Sequence, residues 1–159
     1  ASHYSRRFVG VVQFLQPPGA FVAVFDYVHS HRRVDLTRTR HLPDTIRMWE
    51  GDSIGRWEGD TLVIDTRNLN GKPWLELYGD FIGPNAHVVE RLTMRSANTI
   101  DYRAVIDDPE TFTRPWSISF SYFRGTNVTE LYEQNCHETN VDLEHIKILH
   151  DRARLLDRK

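Results

Sequence analysis

The stretch Ser53-Ile54-Gly55-Arg56-Trp57-Glu58-Gly59-Asp60-Thr61-Leu62-Val63-Ile64-Asp65-Thr66 decides how the rest of the chain is read. Two runs, Ser53 to Trp57 and Thr61 to Thr66, flank Glu58-Gly59-Asp60, where Gly59 can supply the positive φ a tight turn needs. This is a β-hairpin, and the same grammar extends in both directions. Period-2 alternation broken by turn residues is the mark of half-buried antiparallel strands.

Downstream, His87 to Arg95 sets Val88, Glu90, Leu92 and Met94 against His87, Val89, Arg91 and Thr93. Ala97-Asn98 turns this run into Thr99 to Asp107, whose apolar side is Ile100, Tyr102, Ala104 and Ile106. Asp107-Asp108-Pro109 makes the next turn. Trp116, Ile118, Phe120 and Tyr122 then oppose Ser117, Ser119 and Ser121, and Thr129 to Cys136 reads as a last strand. Upstream, Phe8 to Phe14 ends at Pro17-Pro18-Gly19, and Ala20 to His31 reads as one strand. Phe21, Ala23, Phe25, Tyr27, His29 and His31 share one of its faces. Two long loops, residues 37–52 and about 68–86, exceed the usual connection length, as lids and binding loops do.

From Asn140 the period changes to that of a helix over about 141–157. Asn140 can cap it, Asp142 and Glu144 lie in its first turn, and Ile146, Leu149, Ala153 and Leu156 make an apolar stripe. The fold class expected is mainly β: an antiparallel up-and-down barrel or strongly curled sheet with one C-terminal helix, and a β-sandwich as the alternative. Residues 1–159 read as a single domain, the helix packing on its own barrel or on a second subunit in a homo-oligomer. A small barrel can hold one small ligand inside.

Composition narrows the function classes. The chain has 159 residues, 40% hydrophobic and 26% charged, with a net charge of −2. That balance carries no electrostatic footprint for nucleic acid, and no apolar run nears the roughly eighteen residues of a membrane-spanning helix. Arg32-Arg33, Arg38 with Arg40, and Arg152 with Arg154 read as solvated surface. The single cysteine, Cys136, excludes an internal disulfide and a Cys-rich zinc site. It reads as a buried inert thiol, because neighbouring His137 points the other way in a strand. There is no G-x-S-x-G, phosphate loop, dinucleotide fingerprint or H-E-x-x-H, so no cofactor is expected.

Chemistry must then come from polar groups that alternation places indoors. Glu90 lies between Val88 and Leu92. Desolvated there, its carboxyl would be raised toward neutrality and could act as a general acid or base. Its other reading is a buried pair with Arg56 or Arg103. Asp65 shares the Val63 face and Glu133 the Leu131 face of their strands. His29 or His87 could serve as acid or orienter beside a base at Glu90 or Asp65, with Tyr27 as hydrogen-bond donor. Trp57, Trp74, Trp116 and Tyr102 would wall the pocket, and Trp49 and Trp74, in or beside the long loops, could cover a ligand. His29 and His31, two apart on a strand, could begin a metal site, with His41, His87 and His137 unplaced.

One stretch is more specific than periodicity. Gly51-Asp52-Ser53-Ile54-Gly55-Arg56-Trp57-Glu58-Gly59-Asp60-Thr61-Leu62-Val63-Ile64-Asp65-Thr66 closely resembles the signature of a largely uncharacterised bacterial family whose members are often exported. The similarity continues at Trp74-Leu75, His87-Val88-Val89-Glu90-Arg91, Thr99-Ile100-Asp101-Tyr102, Asp107-Asp108-Pro109 and Thr113-Arg114-Pro115-Trp116, and near Cys136 and Glu138. The resemblance implies a lipocalin-like barrel and a periplasmic or extracellular setting, and it draws attention to Tyr27, His29, Asp65, Trp74, His87 and Glu90. At His31 this chain departs from an aromatic position in the pattern, which weakens a family-wide metal site there.

Four functions are compatible with these residues. The first is a cofactor-independent acid–base enzyme (lyase, isomerase, cyclase or hydrolase) acting on a small, partly apolar organic molecule in a barrel pocket. The others are a non-enzymatic carrier of a hydrophobic small ligand, a metal-dependent enzyme using His29 and His31, and an interaction module whose long loops form a contact surface.

Overall fold

A computed structural model describes residues 11–26, 30–73, 81–126, 131 and 142–156. Eight strands form one sheet whose spatial order follows the chain: β1 (Val12–Leu15), β2 (Ala20–Phe25), β3 (His31–Asp35), β4 (Asp52–Glu58), β5 (Thr61–Arg67), β6 (His87–Ser96), β7 (Thr99–Asp107) and β8 (Trp116–Phe123). The one described helix, α1, covers Asp142–Leu156. The sheet curls into a half-barrel, so the mainly β, strongly curled reading holds. The curl brings the two edges together through side chains: the Phe14 ring on β1 meets Tyr122 on β8 edge-on, centroids 5.2 Å apart.

Register makes the two faces explicit. On the concave side, Phe21 pairs with Val34, Leu62 with Leu92, Ile64 with Glu90, Val88 with Ile106 and Tyr102 with Phe120. Apolar members of this face form the core, where Leu62, Ile64, Val88, Ala104 and Ile106 are all but solvent-free. The alternation read from β6, β7 and β8 matches it strand by strand, because each of these strands buries one side only.

Three features differ from the sequence reading. Residues 20–31 are not one strand: Phe25 N donates to Ser30 O, the chain turns, and β3 pairs back on β2 with Val24 opposite His31. His31 is therefore exposed and on the convex face, away from Phe21 and Phe25. Alternation runs unbroken through this turn, which contains neither Gly nor Pro, so periodicity alone could not see it. Second, β3 and β4 run parallel, meeting at Asp35 and Ile54, whereas every other pair is antiparallel. A parallel step needs a connection of about a dozen residues or more, and the segment 36–51 supplies it. That polar loop is thus a crossover. Third, helix α1 exposes Ile146 and Leu149, at 62% and 64%, so these apolar positions are not packed on the sheet. The sheet already fills its concavity with its own side chains.

The crossover re-enters the sheet through Gly51, at φ 70°, where an added Cβ would lie 2.7 Å from the Arg67 carbonyl oxygen. Gly51→Ala should combine left-handed strain with a backbone clash that no side chain can relieve. A loss of about 2–4 kcal/mol is expected, read as a lower denaturant midpoint at unchanged slope.

Apart from Leu131, the expected final strand over 129–136, and with it Glu133, Cys136 and His137, lies outside the described residues, as do Tyr27, His29 and Trp74.

Candidate functional site

The concave face and the convex face each carry one polar cluster, and the candidate residues divide between them. On the concave side Glu90 is 1% exposed and Arg32, in phase with Val34 on β3, is 6% exposed. Arg32 Nη1 donates to Glu90 Oε1 at 2.9 Å, and Nη2 lies 2.5 Å from Oε2. Its remaining donors reach Ser53 Oγ at 3.0 and 3.1 Å and Thr66 Oγ1 at 2.6 Å. Tyr102 donates its hydroxyl proton to Glu90 Oε1 at 2.8 Å. Glu90 is thus a buried structural pair, but its partner is Arg32 and not Arg56 or Arg103, both exposed. Reading Arg32-Arg33 as solvated surface is corrected for Arg32. Burial, and then the Glu90 charge, push the Tyr122 phenol above its ordinary value.

The space beside this network is small. A cavity of about 30 Å³ lies among Phe14, Phe25, Arg32, Glu90, Phe120 and Tyr122. That holds a water or two, far from the several hundred Å³ of a small-molecule pocket. Nor do the aromatic candidates wall it together. Trp57 pairs with Leu62 near the β4–β5 turn and is half exposed. Trp116 opens β8 opposite Ile106, at the other end of the concave face, against Phe112. Of these candidates Tyr102 does line the cavity, with its hydroxyl bonded to Glu90.

Asp65 and His87 project from the convex face, as alternation requires of neighbours of Ile64 and Val88. They meet at the start of β6: His87 Nε2 lies 3.0 Å from Asp65 Oδ1. Arg67 Nη2 donates to His87 Nδ1 at 3.3 Å, which leaves Nε2 to carry the proton toward Asp65. A third member comes from the crossover loop. His41 sets Nε2 2.9 Å from the same Asp65 oxygen and Nδ1 3.0 Å from Asp52 Oδ2. Both its nitrogens face carboxylates, so a ring carrying two protons would donate at both ends. Asp52, 2% exposed, also accepts from Leu42 N at 2.9 Å and from Arg38 Nη2 at 2.6 Å. Arg38 in turn reaches Asp35 at 3.3 Å.

Burial pushes the Asp65 carboxyl up, but hydrogen bonds from His87 and His41 outweigh it and hold it below the usual carboxylate range. For Asp52 burial is again the largest effect, and Arg38, Leu42 N and His41 overcome it. Both carboxyls therefore favour the fold when ionised. Their contribution is complete well above 3.8, the ordinary value, and is lost as pH falls through the lowered folded values. Stability should be flat in these groups from neutrality down to about pH 5 and then decline below about pH 4. Acid titration followed by circular dichroism should show Asp52→Asn with a shallower decline than the parent.

Asp65 Oδ1 takes both imidazoles, and Oδ2 makes no hydrogen bond among the described residues; the side chain is 29% exposed, beside His87 at 28%. His41 was unplaced by sequence, Asp52 was not named as a site residue, and Arg38, read there as solvated surface, is instead half-buried and paired with Asp52 and Asp35. Only the Asp65 and His87 part of the cluster is local enough in register to be read from alternation. His31 stands apart from this cluster at the other end of β3, and among the described residues no group of three or more His, Cys, Asp or Glu could hold a metal ion. Comparison with protein-family models, with curated proteins and with solved structures finds no match to any of them.

Proposed function

We propose that this chain is a cofactor-independent acid–base enzyme for a small, partly apolar organic molecule, working on the convex face at the loop-covered end of the sheet. One observation carries the reading: a carboxylate held between two imidazoles, with one oxygen bonded and the other open to solvent. Asp65 Oδ2 is the base. The two rings keep the carboxylate ionised and aimed, and His87 is the acid: it sheds the long 3.3 Å contact from Arg67, takes up a proton at Nδ1 and delivers that proton to substrate while Nε2–H stays on Asp65. Trp49, 61% exposed on the crossover loop, and Phe81, 55% exposed just before β6, offer apolar surface at this end. Turnover of p-nitrophenyl acetate and of 5-nitrobenzisoxazole, probes for hydrolysis and for carbon deprotonation, tests the proposal. Rates above buffer that collapse in Asp65→Asn support it; rates equal in parent and variant end it.

A second reading has its own observation. Trp49, Phe81 and Ile46 are large, apolar and exposed on the two long loops, while the sheet interior holds only a water-sized cavity. An interaction surface formed by those loops fits both facts. Trp49→Ser together with Phe81→Ser would lower self-association or partner binding on this reading and leave any turnover by Asp65 in place.

A further inference from the structure

The convex face carries a second polar feature, one same-face row from Asp65 and two from His87. Arg91 on β6 and Arg103 on β7 are direct cross-strand partners, and Ser119 on β8 is the next residue in the same row. Like charges placed directly opposite each other destabilise a sheet, so an Arg–Arg pair is a cost that the fold alone does not require. The acids nearby are already engaged. Glu58 accepts from Arg91 Nη2 at 2.9 Å and from Arg56 at 2.7 and 3.0 Å, so one carboxylate serves two guanidinia. Asp101, at the far side of the groove, accepts from Ser121 Oγ at 2.7 Å and lies 2.8 Å from Arg95 Nε. The Arg103 guanidinium has no ion pair or hydrogen bond among the described residues. Arg91, Arg103 and Asp101 line an open groove of about 520 Å³ that also takes in Thr93, Ser119 and Ser121.

We propose that this groove is a binding site for a tetrahedral oxyanion, a phosphoryl or sulfate group, free or carried by a small molecule. Two guanidinia supply planar forks of N–H donors, and the Ser119 and Thr93 hydroxyls supply further donors. A tetrahedral anion has enough acceptor oxygens to use all four, and its charge cancels the repulsion between Arg91 and Arg103. Glu58 holds Arg91 in place, which leaves Arg103 as the residue whose charge the ligand answers. Along β6 the site lies four residues, about 14 Å, from His87, and Asp65 lies two residues, about 7 Å, along β5 from Val63, the cross-strand partner of Arg91; none of the acid–base residues lines the groove.

Calorimetric titration of the full chain with inorganic phosphate, sulfate and glucose 6-phosphate, in a buffer free of other oxyanions and at fixed chloride, tests the site. Expected is saturable binding with a dissociation constant of about 1 mM or tighter, weakened at least about tenfold by Arg103→Ser and unchanged by Asp65→Asn. Glucose 6-phosphate binding more tightly than phosphate would identify a phosphorylated small molecule as the ligand; equal affinity would identify the free anion. Without ligand, Arg103→Ser should melt about 1–2 °C higher than the parent, because it removes the like-charge pair. Binding that does not saturate, or that Arg103→Ser leaves intact, marks an adventitious ion only and overturns the proposal. A lower melting point for the unliganded variant overturns it as well, by showing that Arg103 has a structural partner.

Discussion

Glu90→Leu should lose about 3–5 kcal/mol of stability, and Arg32→Met should lose a similar amount. Each leaves one buried charge without its counterpart, at sites 1% and 6% exposed in the parent. In Glu90→Leu the guanidinium keeps Ser53 and Thr66 as acceptors but loses the Glu90 carboxylate, and the Tyr102 hydroxyl loses the oxygen it donates to. In Arg32→Met the carboxylate keeps the Tyr102 hydroxyl but loses the guanidinium that faced both its oxygens. A domain of this kind is stable by about 5–15 kcal/mol in all, so either variant should melt far below the parent. The double variant is the informative one. Replacing a buried pair by apolar groups of similar volume is often neutral or stabilising, and Ser53 Oγ and Thr66 Oγ1, 3.0 Å apart, still satisfy one another. Arg32→Met with Glu90→Leu should therefore recover most of the loss. A double-mutant cycle on denaturant midpoints measures the coupling. Additive losses, or a single variant as stable as the parent, would show that the two groups do not share a buried bond.

What could be read beforehand tracks how local the determining physics is. The β4–β5, β6–β7 and β7–β8 pairings follow from one-sided burial and short turns, so the faces of Leu92, Tyr102 and Phe120 were legible before any coordinates. The same alternation contained more than was drawn from it. Arg103 is out of phase with Tyr102 and Ala104, and Arg91 with Glu90, so neither could reach the concave face. Arg32 is in phase with Val34 and could. Recognising that required knowing that a new strand begins at His31, and the unbroken Tyr27, His29, His31 pattern concealed the turn. The convex cluster was legible only in part. Asp65 and His87 lie on adjacent strands near a shared end, but His41 arrives through a crossover whose path depends on a parallel step at Asp35 and Ile54. Nothing within a few residues of His41 encodes that arrival.

The two clusters also explain why Glu90 and Asp65 cannot serve one pocket. Ile64 is the cross-strand partner of Glu90, and Asp65 follows Ile64 on the opposite side of the pleat. A mechanism that uses both would need one of them to cross the sheet. The concave carboxylate is held by a guanidinium and the Tyr102 hydroxyl and has little space beside it. The convex one has an open oxygen. On the reading proposed above, the first site serves stability and the second the exchange of protons.

The second large effect expected follows from that division. Asp65→Asn should lower the turnover of whichever probe the protein accepts by about 10²–10⁴-fold while leaving the melting temperature within a few degrees. The amide is the same size, and its oxygen can still accept from one imidazole, but it cannot take a proton from substrate. His87→Gln should produce a smaller loss, because its part is to donate a proton rather than to take one from substrate. Asp52→Asn is the control for a purely structural role. It loosens His41, Leu42 and Arg38 together without touching the open Asp65 oxygen, so it should cost stability more than rate. The pH profile separates the two kinds of variant. In the parent, activity should fall as acid protonates Asp65, with an apparent midpoint below 3.8, because the two imidazoles hold that carboxyl down. Replacing His41 and His87 by Gln should move that midpoint upward, since burial alone raises it. A midpoint that stays put in the His variants, or a rate that Asp65→Asn leaves unchanged, would reduce the cluster to a clamp that ties the crossover loop to the sheet.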